Sequence, residues 1–198
     1  MTLSLYAALS LLFAVVVTSL LFVASLALHE AGHALAARIF GLPVRRVTAG
    51  NGPWLLRLWG GRFEARLFGL NGACEFTRPL ESEPTLARFW IALAGPLSSL
   101  GAAGLFAGLG AAWSAVAGHG SEVQVCLLMA QANVALALFN LLPIPPLDGW
   151  RALEAVLEQT GFRLSDARRA RLHAGGMVLL AVGIAAFFAL HWGLALGA

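Results

Sequence analysis

Two histidines one helical turn apart, with a glutamate beside the first, are the residues of this sequence best suited to chemistry. His29, Glu30 and His33 form the pattern H-E-x-x-H. On a helix both imidazoles lie on one face and can bind the same metal ion. Glu30 lies about 100° around the helix from His29, where it can accept a proton without binding the metal. The pattern predicts a catalytic zinc site with Glu30 as its acid/base.

A catalytic zinc ion usually takes three protein ligands and keeps a fourth position for water. Asp148 is the best candidate for the third ligand, because it follows the third apolar stretch on the same side of the membrane as His29 and His33. Asp148 could alternatively be only the N-cap of the helix that follows it. The other acids and histidines have ordinary interpretations as solvated, interfacial or core residues: Glu75, Glu81, Glu83, His119, His173 and His191.

The composition indicates which elements hold these residues. Apolar residues make up 59% of the 198 residues, charged residues only 12%, and the mean hydropathy is +0.79. Four uncharged stretches are each long enough to cross roughly 30 Å of hydrocarbon as a helix. The sequence therefore predicts an α-helical integral membrane protein, a single domain over 1–198. We expect about four transmembrane helices, at about 3–40, 88–113, 122–142 and 172–196.

The distribution of arginine predicts the orientation of these helices. The 13 basic residues are all arginines, and they fall in two blocks, 38–88 and 151–171. With four spans, both blocks lie on one side, which the positive-inside rule makes the cytoplasm. We expect a multi-pass protein of the inner (cytoplasmic) membrane with its site toward the cytoplasm. Because the charges lie in loops and form no basic face, we expect no nucleic-acid partner.

The loop 41–85 is predicted to be rich in β-structure. Apolar and charged residues alternate in it with a period of two, which is typical of strands. Gly60-Gly61 and Asn71-Gly72 predict two tight turns, so we expect a small antiparallel sheet on the cytoplasmic side. The sheet could simply cap the helices. Alternatively, an edge strand could pair with an extended substrate.

The proline-rich loop 141–149 must end the third helix. Three of the four residues at 143–146 are prolines, which remove backbone donors and restrict the residues before them. Non-helical backbone at membrane depth is tolerated where protein buries it or where it lines a watery cavity. The loop therefore predicts a cavity beside Asp148.

Three motifs together resemble the site-2 protease family of intramembrane zinc metalloproteases. They are H-E-x-x-H at 29–33, Ala-Gly-Pro at 94–96 and NLLPIPPLDG at 140–149. They come in the order found in that family and extend over nearly the whole chain. The resemblance implies zinc held by His29, His33 and Asp148, with Glu30 as catalytic acid/base and Asn140 contacting an unwound substrate. It also implies single-pass membrane proteins as substrates, cut in regulated intramembrane proteolysis.

The sequence also departs from the family pattern. Ser99 stands where many relatives have asparagine, and Trp150 where the second glycine after the aspartate is usual. We expect a minimal form without a PDZ or CBS domain, embedded in the lipid bilayer, with a homo-oligomer or a regulatory membrane partner as open alternatives. Two competing hypotheses are a catalytically silent, metal-binding membrane scaffold and a metal transporter. Both are disfavoured because Glu30 is intact and no second polar pathway crosses the outer half of the spans.

Overall fold

The structure is a computed structural model that describes the backbone of residues 2–196 and the side chains of residues 5–69, 71–186 and 189–190. Within residues 2–196, five helices and two strands follow one another. They are α1 (Thr2–Ile39), β1 (Val44–Leu58), β2 (Phe63–Phe76), α2 (Thr85–Ala117), α3 (Ser121–Asn140), α4 (Asp148–Gln159) and α5 (Asp166–Leu196). Short 3₁₀ turns lie at Trp59–Gly61 and Leu80–Ser82.

Four of these helices are long and apolar enough to cross a membrane, as the uncharged stretches predicted. The candidate spans are Leu5–Ile39, Thr85–Ala117, Ser121–Asn140 and Asp166–Ala186. Most of their large apolar side chains are exposed, such as Phe13 and Leu105, where a bilayer would surround them. The chain is therefore a multi-pass membrane protein with a small sheet between its first two helices.

The short fourth helix is different, because it is amphipathic and lies against the start of α2. Arg88 of α2 donates a hydrogen bond to Glu158 of α4. Arg169 of α5 donates from Nε to Glu154 Oε1 at 2.8 Å. These two ion pairs fix α4 in position at the end of the bundle where the proline-rich loop emerges.

The two strands form a long, irregular antiparallel hairpin. The turn predicted at Gly60-Gly61 is confirmed, and both glycines have positive φ values of 65° and 86°. A second reversal of the chain also precedes Ala73, as predicted, although β2 is continuous through Asn71-Gly72: residues 63–65 and 72–74 both pair with 47–49 but run in opposite directions, so the chain reverses between them. Residues 44–49 of β1 pair with 72–76 of β2, residues 51–58 pair with 63–68, and residues 47–49 also pair with 63–65 on their other side. Within the described part of the chain, no strand pairs with the other edge of 72–76, so that edge is open.

The sheet packs along the middle of α1. The Ser19 hydroxyl donates to the Leu67 carbonyl at 2.6 Å. A Cβ added at Gly69 would lie 2.9 Å from the Phe22 ring, and one added at Gly72 would lie 2.5 Å from Glu30 Oε1. Strand β2 thus follows α1 from Ser19 to Glu30, roughly 16 Å of helix. This contact places strand backbone directly against the H-E-x-x-H motif.

Close helix crossing holds the motif against α2. A Cβ added at Gly32 would lie 2.5 Å from the Ser98 Cβ and closer still to the Ala94 carbonyl. Small buried residues, including Ala36 and Ala37, continue the contact below this crossing and pack against Ile91. Since only glycine fits at position 32, the distance between the α1 and α2 axes is set at the level of the two histidines.

Candidate metal centre

Three side chains from α1 and α4 converge on one point, as the sequence predicted. Asp148 Oδ2 lies 3.0 Å from His29 Nε2 and 3.1 Å from His33 Nε2, and the two Nε2 atoms lie 3.3 Å apart. All three residues are buried, with 3%, 6% and 6% of their surfaces exposed for His29, His33 and Asp148. Residues 119 positions apart in sequence therefore meet at a single site.

The donor set fits a zinc ion. Two imidazole nitrogens and one carboxylate oxygen all lie within 4.8 Å of one another, close enough to hold one metal ion. In a tetrahedral zinc site with bonds of about 2.0–2.1 Å, neighbouring ligand atoms lie roughly 3.3 Å apart. The observed separations of 3.0–3.3 Å need only a slight widening to reach that geometry. Three protein ligands also leave the fourth position open, which is typical of catalytic zinc.

Both imidazoles are oriented through their other nitrogen atoms. His33 Nδ1 lies 2.6 Å from the Ile91 carbonyl oxygen, which can only accept, so Nδ1 carries the proton and Nε2 is free to bind a metal. His29 Nδ1 lies 3.0 Å from the fully buried Ser99 hydroxyl, which can accept in the same way. Sequence reasoning identified Ser99 only as a departure from the family. Its position one helical turn after Gly95 was the available signal.

Gly95 makes room for the centre. A Cβ at this position would lie 2.7 Å from His29 Nε2 and 2.6 Å from His33 Cε1. No larger residue fits without moving an imidazole. The following Pro96 lacks an N–H, which leaves the Ala92 carbonyl without its helical donor beside the cavity. The Ala-Gly-Pro motif thus has a steric function that its sequence alone did not reveal.

Glu30 lies beside the three converging side chains but is not one of the candidate metal ligands. It is 7% exposed and lines the same cavity. Gly72 of β2 lies against its carboxylate, and a Cβ at Gly72 would come within 2.5 Å of Glu30 Oε1. The glycine in Asn71-Gly72 therefore allows close approach between the strand and the helix.

Asp148 is the first residue of α4, and Leu147 occupies the N-cap position. The N-cap alternative for Asp148 is therefore not what the structure shows. Burial disfavours its charge, but hydrogen bonds to His29 and His33 outweigh burial and hold the pKa of Asp148 well below its usual range. Gly149 lies against the Leu141 carbonyl, where no side chain would fit, so the proline-rich loop folds back onto the start of α4.

A cavity of about 400 Å³ opens beside the centre, confirming the one predicted next to Asp148. Its walls come from α1, β2, α2, α3, α4 and the proline-rich loop, and most of the lining side chains are apolar. Asn140 lies in its wall, with its amide nitrogen donating to the Leu136 carbonyl at 2.9 Å. Cys74 also lines it, and burial raises the pKa of this thiol to about 12.

The other histidines lie away from the centre. His119 contacts Ser114 at the opposite end of α2, and His173 lines a neighbouring cavity. The side chain of His191 lies outside the described residues. The candidate metal ligands among the described residues are therefore His29, His33 and Asp148.

The sequence matches a known family of peptidases. The family model described as Peptidase family M50 matches residues 17–125 and 111–184. The chain belongs to peptidase family M50. It is 34% identical over 177 residues to Rip3 of Mycobacterium tuberculosis, a protein named as a zinc metalloprotease, and that match covers 86% of this chain. It is 32% identical over 143 residues to sll0528 of Synechocystis, named likewise, with 72% of this chain covered.

These M50 relatives are longer proteins. The matches cover 39% of Rip3 and 32% of sll0528, so this chain corresponds to less than half of either. Among solved structures, the site-2 protease from Methanocaldococcus jannaschii is similar over 89% of this chain and 69% of its own, with a TM-score of 0.58 and 21% identity. That likeness shows a shared fold.

Proposed function

We propose that this chain is an intramembrane zinc metalloprotease that hydrolyses peptide bonds of single-pass membrane proteins. One observation carries the proposal: His29, His33 and Asp148 meet beside Glu30, in a cavity between helices that can cross a membrane. A carboxylate and two imidazoles at that depth are costly unless they serve a function. In this proposal the three converging residues are the zinc ligands and Glu30 is the catalytic residue.

The chemistry divides between the metal and the side chains. A zinc ion held by the three ligands would supply Lewis-acid activation of water and of the scissile carbonyl. Glu30 accepts the proton from the attacking water and then delivers it to the departing amine, acting first as base and then as acid. The Ser99 hydroxyl and the Ile91 carbonyl keep the two imidazoles turned toward the metal during these transfers.

The open edge of β2 offers a way to present the substrate. A transmembrane helix hides its peptide bonds in internal hydrogen bonds, so the segment to be cut must unwind. Residues 72–76 have one unpaired edge, and Gly72 on this segment touches Glu30. An extended segment added to that edge would satisfy its backbone groups and pass the catalytic carboxylate. Asn140, in the cavity wall, would contact the same unwound segment.

The arginine distribution supports a location in the inner membrane with the centre toward the cytoplasm. The two arginine blocks flank the ends of α1, α2 and α5 that lie nearest the centre. Cleavage at this depth would release a cytoplasmic fragment, which fits regulated intramembrane proteolysis. The proposal includes, as open alternatives, a homo-oligomer or a regulatory membrane partner.

Replacing Glu30 by Gln tests the proposal. We expect the purified variant to keep its zinc, because Glu30 is not a ligand, and to lose cleavage of co-expressed single-pass membrane proteins. Loss should reach at least the 10²–10⁴-fold that general acid–base catalysis contributes. The readout is the released cytoplasmic fragment together with zinc per chain. Unchanged cleavage would contradict the role of Glu30, and an unchanged cellular phenotype without any cleavage would favour a scaffold or a metal transporter.

A further inference from the structure

A second cavity of about 520 Å³ adjoins the catalytic one. Four residues line both: Cys74, Phe76, Leu80 and Arg151. The remaining wall of the second cavity is rich in charged side chains of both signs, namely Arg45, Glu75, Arg78, Glu81, Glu154 and Arg169. The open edge of β2 thus runs from the apolar catalytic cavity into a polar one, and Arg151 lies at the junction.

The position of Arg151 is fixed by the helix that carries it. The acidic side chains of α4 are already paired, Glu154 with Arg169 and Glu158 with Arg88. These pairs hold α4 against its neighbours. Arg151 is the one basic residue of this helix, and neither acid is paired with it. Its side chain is 49% exposed and lines both cavities.

The guanidinium has unused hydrogen-bonding capacity. Its nearest acidic atom is Asp148 Oδ1 at 3.9 Å, which is beyond hydrogen-bond distance. Among the described residues, the Arg151 side chain makes no hydrogen bond that meets normal geometry. Five N–H donors in a rigid fork therefore face a cavity whose other walls near the centre are largely apolar. An arginine in this setting favours a carboxylate, which it can bind with two parallel hydrogen bonds.

We propose that Arg151 is a specificity-determining residue that binds an acidic side chain of the substrate, close to the scissile bond. This inference rests on the proposed protease function. Since the guanidinium lies 3.9 Å from the Asp148 carboxylate, the acidic residue falls within roughly two or three positions of the cut in an extended segment. The preferred substrate then carries one Asp or Glu next to an otherwise apolar cleavage region.

Matched substrates test the assignment. The substrates are single-pass sequences that differ only by Asp or Asn, with the pair moved through the three positions on each side of the cut. We expect wild-type protein in detergent to prefer Asp at one position by about 10- to 100-fold in kcat/KM, mainly through KM. Arg151→Gln should abolish that preference, Arg151→Lys should keep part of it, and Arg151→Glu should shift the preference to Lys at the same position. Arg163→Gln, which changes an exposed arginine in the loop before α5, is the matched control and should keep the wild-type preference.

Three results would overturn the assignment. Wild-type protein could cut the substrates with no acidic preference at any position, or Arg151→Gln could keep the preference intact. Equal loss on the Asp and Asn substrates, accompanied by loss of zinc, would instead make Arg151 a positioning residue for Asp148. Failure of wild-type protein to cut any substrate would contradict the proposed function itself, and so is distinguishable from all three.

Discussion

Gly95→Ala should remove the metal while leaving the fold intact. The added Cβ would lie 2.6 Å from His33 Cε1 and 2.7 Å from His29 Nε2, where ordinary contact requires about 3.5 Å. The nearest atom of all is His33 Nε2, so the His33 imidazole must move by more than about 1 Å and the His29 imidazole by nearly as much. The cavity beside them, of about 400 Å³, gives them room to do so without moving the helices. The strain is thus relieved at the ligands and not in the backbone.

The expected loss of zinc affinity and of activity follows from how little displacement of its ligands a metal site tolerates. Ligand distances are held within about 0.2 Å of their ideal values, and a displacement of about 1 Å at a catalytic group costs on the order of 10²-fold in rate. Moving His33 also breaks its hydrogen bond to the Ile91 carbonyl. Loss of such an orienting contact alone lowers metal affinity by about 10- to 100-fold. We expect zinc affinity and cleavage each to fall by about 10²-fold or more.

Competition with a chromophoric chelator measures zinc affinity, and circular dichroism measures helix content. Gly101→Ala is the matched control, since it makes the same change on the same helix, where an added Cβ meets nothing within 4 Å. The control should bind zinc and cut like wild type. The reasoning would be refuted if Gly95→Ala bound zinc as tightly as Gly101→Ala. Loss of helix content in Gly95→Ala alone would also refute it, because the strain would then be in the fold.

Three further predictions concern the surroundings of the centre. Ser99→Ala should lower zinc affinity by about 10- to 100-fold, because His29 loses the acceptor for its Nδ1 proton, and chelator competition at unchanged helix content measures this. Gly72→Ala should have the opposite signature, with zinc retained and kcat lowered by about 10²-fold, because its Cβ would displace the Glu30 carboxylate; loss of zinc would contradict this. The raised pKa of about 12 keeps Cys74 protonated at neutral pH, so its alkylation rate, followed by mass spectrometry, should still be rising steeply between pH 9 and pH 11. A plateau near the ordinary value of 9.0 would show that the thiol is not buried as described.

The sequence could predict the ligands because membrane chemistry leaves few alternatives. Charged and titratable residues are rare in the spans, so the few beside them stand out. His29 and His33 follow from helical spacing alone, and Asp148 follows from the topology given by the arginines. The predicted helices and the cavity beside Asp148 follow from the uncharged stretches and from the prolines that end α3.

The steric contacts of the centre could not be predicted, because they depend on distances between elements far apart in sequence. A glycine looks the same in a turn and in a close contact, so Asn71-Gly72 predicts a turn and does not reveal the contact of Gly72 with Glu30. Gly95 has the same function toward the imidazoles. The contact of Ser99 with His29 depends on how α1 crosses α2, and that crossing is set by Gly32.

The path of the sheet was only partly predictable for a related reason. Alternating residues identified strands, but the pattern contains no information on which surface the strands pack against. Contacts such as Ser19 with Leu67 show that β2 follows α1 far from the H-E-x-x-H motif. Because both the strand and the helix are apolar there, no charge in the sequence marks the contact.

X-ray absorption spectroscopy of the zinc-loaded protein tests the central claim most directly. The account predicts one zinc per chain, bound by two imidazoles and otherwise by oxygen, with zinc–ligand distances of about 2.0–2.1 Å. Asp148→Asn should lower the zinc content, since the anionic ligand is lost. A sulfur ligand at about 2.3 Å, or fewer than two imidazoles, would contradict the convergence of His29, His33 and Asp148 on a single metal ion.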